Sequence, residues 1–374
     1  MSSDDPTTTP TDDHPPLAAV VLAAGEGRRM QSERPKPLHR LCGRPMLVYV
    51  LDALASTDAS RAVIVVGHKG DWVAKKLLEH AHTIDIDFVE QRVQRGTGDA
   101  TLVGLVGLPD DEDEGDVLVL PGDAPLLRPE TVAQLVEHHR RTGAAATLLS
   151  AVMEDPSGYG RVLRAANGTV ERIVEHGDAS EEELAIDEIN TSIYCFRRSL
   201  LAPALRRVQP DNAQGEYYLT DVVEVLTGTG HRVEAIVAGD AAETQGVNDR
   251  VQLSVAESEL RRRTNESLLR SGVTMLDPSS VFVDTTVRVG QDVTLFPGVI
   301  LQGSTIVGDG TELGPNTRLV DCRVGDECVI EQTTARSARI GDRCIVGPYA
   351  SIAPGAELPA DVVTGPFYTA DTAT

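Results

Sequence analysis

The chain has 374 residues, enough for two domains with separate cores. Its 57 acidic against 34 basic residues give a formal net charge of −23 and a pI near 4.7. Such a field repels nucleic acid and anionic membrane, so neither is an expected partner.

Residues 1–16 are acidic and polar, lack the basic start and apolar middle of a signal peptide, and read as a disordered tail. No apolar run approaches membrane-spanning length. Cys42, Cys195, Cys322, Cys328 and Cys344 are scattered without a Cys-x-x-Cys pair, which points to a reduced, cytoplasmic protein.

The apolar run at residues 17–22 predicts one buried strand. It leads into Ala23-Ala24-Gly25-Glu26-Gly27-Arg28-Arg29-Met30 and then Pro35-Lys36-Pro37. Small residues at a strand's C-terminal end let backbone N–H groups form an anion-binding concavity, and Arg28, Arg29, Arg34 and Lys36 add cations suited to phosphate. Taken alone, the Gly25-x-Gly27 pair fits an ordinary strand-to-helix turn equally well. A dinucleotide-binding loop would place its third glycine at position 30, which is Met30, and Pro35 and Pro37 interrupt the helix such a loop needs.

Residues 45–55 carry Met46, Leu47, Val50, Leu51 and Leu54 at helical spacing. A strand at 62–66, a helix at 71–80 and a strand at 84–89 follow, and the alternation predicts a parallel α/β sheet. Residues 91–100 set a second glycine loop ahead of a helical stretch, which by itself also reads as a helix-entry turn. After a charged, solvated loop at 110–116, a strand at 117–120 ends in Pro121-Gly122-Asp123. A carboxylate just past a buried parallel strand sits where open α/β sheets hold ligands, so Asp123 is a magnesium candidate. Without that context, an Asp in such a turn is more often structural than a ligand.

Gly158 to Arg161, Ile173 to His176, Glu188 to Thr191 and Glu216 to Asp221 each set a turn-like element beside hydrogen-bonding side chains, and singly each also fits a polar turn. Residues 247–250 lead into a charged helix reaching about residue 270. His80 with His82, and His138 with His139, lie on polar helical stretches and read as solvated. No zinc constellation and no Ser-His-Asp set is present in the pattern.

From Val283 the period changes to six. Val283, Val289, Leu295, Leu301, Val307, Leu313 and Leu319 recur strictly, Val324 and Ile330 follow a one-residue deletion, and Ile340, Val346, Ile352 and Leu358 resume after an insertion. Four residues beyond each corner the residue is usually small: Val293, Thr305, Thr311, Thr317, Cys328, Thr334, Cys344, Ala350. This predicts a triangular parallel β-helix of about four coils. Cys328 and Cys344 read as small core residues, and the flat sides suggest a homotrimer.

Together these stretches resemble the bacterial GlmU family, bifunctional N-acetylglucosamine-1-phosphate uridylyltransferases and glucosamine-1-phosphate acetyltransferases. The likeness rests on LAAGEGRRM, PKPLH, QRGTGDA, GDAPL, DPSGYGR, IVEH, EINTSIY, NAQGEYYLTD and GVNDRVQLS, followed by the hexads. It implies a Rossmann-like α/β nucleotidyltransferase domain at 17–248, a linker helix at 249–272, a left-handed parallel β-helix at 273–362 and a tail at 363–374.

It implies further that Leu22, Ala23, Ala24 and Gly25 line UTP with Pro121 and Gly122 alongside, and that Arg29 and Lys36 hold its phosphates. Gln91, Gly96 and Thr97 would recognise uracil. Asp123 and Asn248 would bind Mg2+, with Arg29, Lys36 and Asp123 forming the catalytic set. Gly160, Glu175, Asn190, Tyr217 and Thr220 would hold N-acetylglucosamine 1-phosphate. The family has other residues where Arg28, Asp99, Ser192 and Asp249 stand, and Asp249 would add an acid beside the metal.

The acetyltransferase's Arg-Pro-Gly and Glu-x-Lys contexts read Ala353-Pro354-Gly355 and Thr369-Ala370-Asp371 here, and its histidine and acetyl-CoA coils have no counterpart in these residues. Uridylyl transfer alone is therefore the expected activity. Nucleotidyl transfer to another sugar or from another base, and a non-catalytic nucleotide-sugar sensor, remain the alternatives.

Overall fold

The computed structural model describes residues 15–80, 84–109 and 115–370. The expected tail before residue 15, most of the 110–116 loop, His82 and residues 371–374 lie outside the described residues.

In chain order, β1 (Leu17–Ala23) precedes a short hairpin, β2 (Arg40–Leu41) and β3 (Arg44–Pro45). Then come α1 (Met46–Asp52), β4 (Arg61–Val66), α2 (Gly70–Leu77), β5 (Asp85–Glu90), α3 (Thr97–Val106), β6 (Asp116–Pro121), α4 (Pro129–Thr142) and β7 (Ala146–Val152). Next are β8 (Arg161–Arg164), β9 (Val170–Val174), α5 (Glu181–Leu184), β10 (Glu188–Arg197), α6 (Arg198–Leu205), α7 (Asp221–Gly228), β11 (Val233–Val237) and α8 (Arg250–Arg270).

The main sheet has the order β11-β7-β10-β6-β1-β4-β5, with β8 and β9 beside β10. Its β6-β1-β4-β5 half is parallel, as the strand–helix alternation predicts. The other half departs from that expectation, because β10 runs antiparallel to both β6 and β7. Between β7 and β10 the chain makes the antiparallel pair β8–β9 instead of a crossover through a long helix, so it returns in the opposite sense.

Alternate residues of each central strand enter opposite cores. Val20, Val63 and Val119 pack with Leu105 of α3 and Val223 of α7. Val21, Ile64 and Leu118 pack with Leu47 of α1 and Leu135 of α4. His139 corrects the expectation of a solvated pair. It shares the inner face of α4 with Leu135 and Val136, is 2 % exposed, and sets Nδ1 2.9 Å from Thr147 Oγ1.

Two compact units divide the chain: residues up to Leu38 with Met46–Asn248, and His39–Pro45 with everything from Asp249. The β2–β3 hairpin, expected within the first domain, thus belongs to the second. Its two-residue strands pair only with each other, while Cys42 N–H donates to the Glu257 carboxylate at 2.7 Å and Thr285 N–H to the Cys42 carbonyl at 3.1 Å. Asp249 is spent as the N-cap of α8, accepting from Gln252 N–H at 2.8 Å.

The second unit runs from β12 (Thr274–Met275) to β27 (Thr369–Ala370) as short strands in three parallel stacks. From β12 onward to the strand at Arg339–Ile340, each strand pairs with the one three elements later, so three strands make one coil of a left-handed β-helix. The corner residues form columns such as Leu295, Leu313, Ile330 and Val346, and Leu301, Leu319, Ala335 and Ile352. The supposed insertion is therefore a regular corner filled by Ala335, which is fully buried. Its short step also moves the buried small residue from Thr334, which is exposed, to Thr333.

Buried threonine hydroxyls donate to backbone carbonyls, as Thr311 does to Gly325 at 3.0 Å and Thr333 to Glu331 at 2.8 Å, so the core is polar only where it is satisfied. The ladder continues past the expected boundary at 362: Val363 bridges Ile345, and Thr369–Ala370 pairs with Ser351–Ile352.

Leu313 is 0 % exposed in the middle of its column. Leu313→Ala leaves a void that neighbouring rungs cannot close, and urea denaturation is expected to read a loss of about 2–5 kcal/mol from the second unit.

Candidate active site

β1, β4, β5 and β6 are parallel, so their C-terminal ends open on one edge, and the loops that leave them line a cavity of about 460 Å³. Leu22, Ala23, Ala24, Gly25, Lys36, Gln91, Gly96, Thr97, Pro121, Gly122, Asp123, Asn190 and Asn248 all face it. The structure thus gathers these thirteen of the residues singled out from sequence. Arg29 is set apart: it stands exposed on the turn at Arg28–Met30 and is not among the lining residues.

At the base of the cavity, Lys36 Nζ donates to Asp123 and, at 2.7 Å, to Asn248 Oδ1. Each partner is held by backbone. Asp123 follows the end of β6, and its carbonyl accepts from Val247 N–H at 2.8 Å, which lays residues 246–248 beside it. Lys36 follows the β1 loop, where Gly27 has φ +63° and a side chain on it would strike Lys36 Cβ at 2.8 Å.

The carboxylate oxygen and the carboxamide oxygen therefore converge on one point, with the lysine ammonium between them. One acid, one carboxamide and an open cavity fit a hard divalent cation that takes its remaining oxygens from phosphate and water. Among the described residues no group of three or more His, Cys, Asp or Glu forms a protein-only metal cage.

The second glycine loop is bound to the segment before α7. Gly98 N–H donates to the Tyr217 carbonyl at 2.7 Å, Tyr217 N–H to the Arg95 carbonyl at 2.8 Å, and Leu219 N–H to Thr97 Oγ1 at 3.0 Å. Gly96, at φ +108°, lies so close that a Cβ would meet the Tyr217 carbonyl at 2.6 Å. Gln91 is buried, and its Nε2 donates to Asp99 at 2.8 Å and to the Gly96 carbonyl at 3.3 Å.

A second cluster holds Gly160, Glu175, Asn190 and Thr220. Asn190 N–H donates to the Gly160 carbonyl at 2.9 Å, Thr220 Oγ1 donates to Glu175 at 3.1 Å, and a side chain at Gly160 would approach Glu175 within 3.3 Å. A register shift in β10 puts Ser192 at φ 62° and turns Asn190 into the cavity. Asn190 Oδ1 accepts from Tyr194 OH at 2.8 Å and Ser192 N–H at 3.1 Å, so its Nδ2 is the group presented to a ligand. Burial raises the Glu175 carboxyl, with the Thr220 bond opposing.

Sequence reasoning missed Gln94, whose Nε2 donates to the Ala24 carbonyl, and Tyr159, whose phenol is raised by burial and by the charge of Asp123. A second carboxamide three residues after Gln91 in one glycine loop was the available signal for Gln94; Tyr159 had only its place between two glycines. A larger cavity, about 720 Å³, lies at the other end of β6 around Asp116 and Arg140. Arg140 there is already engaged, donating to Asp58 at 2.9 Å and to the Pro15 carbonyl at 3.0 Å.

The profile of the MobA-like NTP transferase domain family matches residues 19–224. The chain is 42% identical to the bifunctional protein GlmU of Caldanaerobacter subterraneus subsp. tengcongensis over 338 residues, which is 90% of this chain and 72% of that protein. It is 48% identical to the GlmU of Thermobifida fusca over 331 residues, with 87% and 67% covered. Against the GlmU of Mycolicibacterium vanbaalenii the identity is 45% over 359 residues, with 96% and 73% covered.

Near Glu175, burial and that residue's charge push the Asp221 carboxyl from its ordinary 3.8 up to about 6. The folded state therefore holds this proton more tightly than the unfolded state, and stability falls as pH rises from about 4 to about 6. Asp221→Asn lacks that group, so its melting temperature is expected to decline less than that of the parent across the same window, as scanning calorimetry at stepped pH would record.

Proposed function

The chain belongs to the GlmU family, whose nucleotidyltransferase part it carries, and from that premise we propose uridylyl transfer from UTP to N-acetylglucosamine 1-phosphate, with release of pyrophosphate. It is a nucleotidyltransferase of the UDP-N-acetylglucosamine pyrophosphorylase type. The convergence of Lys36, Asp123 and Asn248 at the strand ends is the observation that carries the reading.

The reaction joins two polyanions: an oxygen of the sugar 1-phosphate attacks the α-phosphorus of UTP, and the bond to the β-phosphate's bridging oxygen breaks. The attacking oxygen is already ionised, so no strong general base is required. Charge neutralisation and in-line positioning are what the protein must supply. Mg2+, held by Asp123 and Asn248, would neutralise phosphate oxygens and orient them.

Lys36 lies at the same point and supplies a fixed positive charge. Arg29, exposed on the loop after β1, would meet the outer phosphates. Gln91 addresses the uracil edge, with Gly96 and Thr97 shaping that end of the cavity. Glu175, Asn190 and Thr220, with Gly160 leaving room beside them and Tyr217 flanking, suit the hydroxyls and acetamido group of an amino sugar.

Acetyl transfer is not part of the reading, because Ala353 and Asp371 stand where the family's acetyltransferase motifs carry cations. The three flat sheets of the prism support a homotrimer, a particle of three 40.0 kDa chains. Five unbridged cysteines, all buried, support a reducing cytoplasm, and no described helix is long and apolar enough to cross a membrane.

A panel of UTP, CTP, GTP and dTTP against several sugar 1-phosphates tests the proposal through pyrophosphate release. UTP with N-acetylglucosamine 1-phosphate and magnesium is expected to be the best pair, and Asp123→Ala to lose about 10²–10³-fold in kcat. Silence with every pair would favour a nucleotide-sugar sensor. Thiol release from acetyl-CoA with glucosamine 1-phosphate is expected to stay at background.

A further inference from the structure

On the uridylyl-transfer reading Gln91 brings its carboxamide to the base, and an amide can present either of two opposite patterns. Its Nε2 donates and its Oε1 accepts, so which end meets the ligand decides which base edge is complementary. Here the neighbours leave no choice. Asp99, in the first turn of α3, accepts from Nε2 at 2.8 Å, and the Gly96 carbonyl accepts from the same nitrogen at 3.3 Å. Neither neighbour can donate in its place, since a carboxylate and a carbonyl offer lone pairs only.

Turning the amide over would set Oε1 against both of them. Both hydrogens of Nε2 are engaged inside the protein, and Oε1 alone remains for the ligand. Asp99 is not among the residues lining the cavity, so it acts on the ligand through Gln91.

We infer that Asp99 is a positioning residue for base selection: it fixes the Gln91 carboxamide as an acceptor and thereby admits a base with an N–H at the centre of its pairing edge. Uracil presents N3–H there. Cytosine presents a bare ring nitrogen, and two lone pairs would face each other across a buried contact. The inference deepens the uridylyl-transfer reading and rests on it, because it takes Gln91 as the group that meets the base.

The test compares UTP with CTP in the intact protein carrying Asp99→Leu or Asp99→Asn. Asp99→Leu removes the acceptor and frees the amide to turn. Its UTP-to-CTP ratio of kcat/KM is expected to fall at least about tenfold, with the change in KM and not in kcat. Asp99→Asn keeps an acceptor oxygen, so it is expected to restore most of the discrimination.

Calorimetric titration with UDP and CDP reads the same preference without turnover and serves if either variant is poorly active. A parallel decline for both nucleotides, or an unchanged ratio in Asp99→Leu, would overturn the assignment of Asp99. Absence of UTP turnover in the parent protein would instead overturn the proposed reaction, and the UDP-over-CDP binding ratio then decides the role of Asp99 by itself.

Discussion

Everything at the mouth of the sheet depends on bringing two oxygens and one ammonium, from positions 36, 123 and 248, to a single point. Three separate stretches of backbone make that possible. The loop after β1 must fold tightly enough to return Lys36 over Gly27, β6 must end one turn before Asp123, and residues 246–248 must lie beside that turn. The Val247 N–H to Asp123 carbonyl bond fixes the last of these without using either functional side chain. Charged groups so close are tolerable only because the arrangement alternates in sign, with a cation between a carboxylate and a carboxamide dipole.

The remaining contacts rank by whether they present chemistry or aim it. Asn190 and Gln91 each carry a carboxamide, and in both the surroundings fix which end is offered. For Asn190, two donors occupy Oδ1 and leave the nitrogen outward; for Gln91, two acceptors occupy the nitrogen and leave the oxygen outward. One cavity thus shows a donor on its Asn190 side and an acceptor on its Gln91 side, built from the same functional group. Thr97 is an aiming residue of another kind, because its hydroxyl accepts from Leu219 N–H and ties α3 to the segment ahead of α7.

Much of this was legible in residue order, for reasons that can be named. The strand ends and glycine loops announce themselves by apolar runs meeting Gly and Asp, and the corners of the prism by an aliphatic residue at every sixth place. What escaped was decided by pairing across long sequence distances. The antiparallel return of β10 follows from the excursion through β8 and β9. The allegiance of residues 39–45 follows from Glu257, and the burial of His139 from Thr147 on the strand beneath it. Gln94 left only a faint trace, a second carboxamide in the loop, and the contact of Asp99 with Gln91 exists only once that loop is folded.

The coils of the prism hold unequal numbers of residues: Leu295 to Leu313, Leu313 to Ile330 and Ile330 to Val346 shorten in turn along the chain, yet the rungs stay in parallel register. Each corner thus tolerates local gain or loss of a residue, as masonry tolerates bricks of two lengths when every course is levelled before the next is laid. A length change in one turn need not propagate along the pile, because every rung is set again by its own parallel pairing with the one before it.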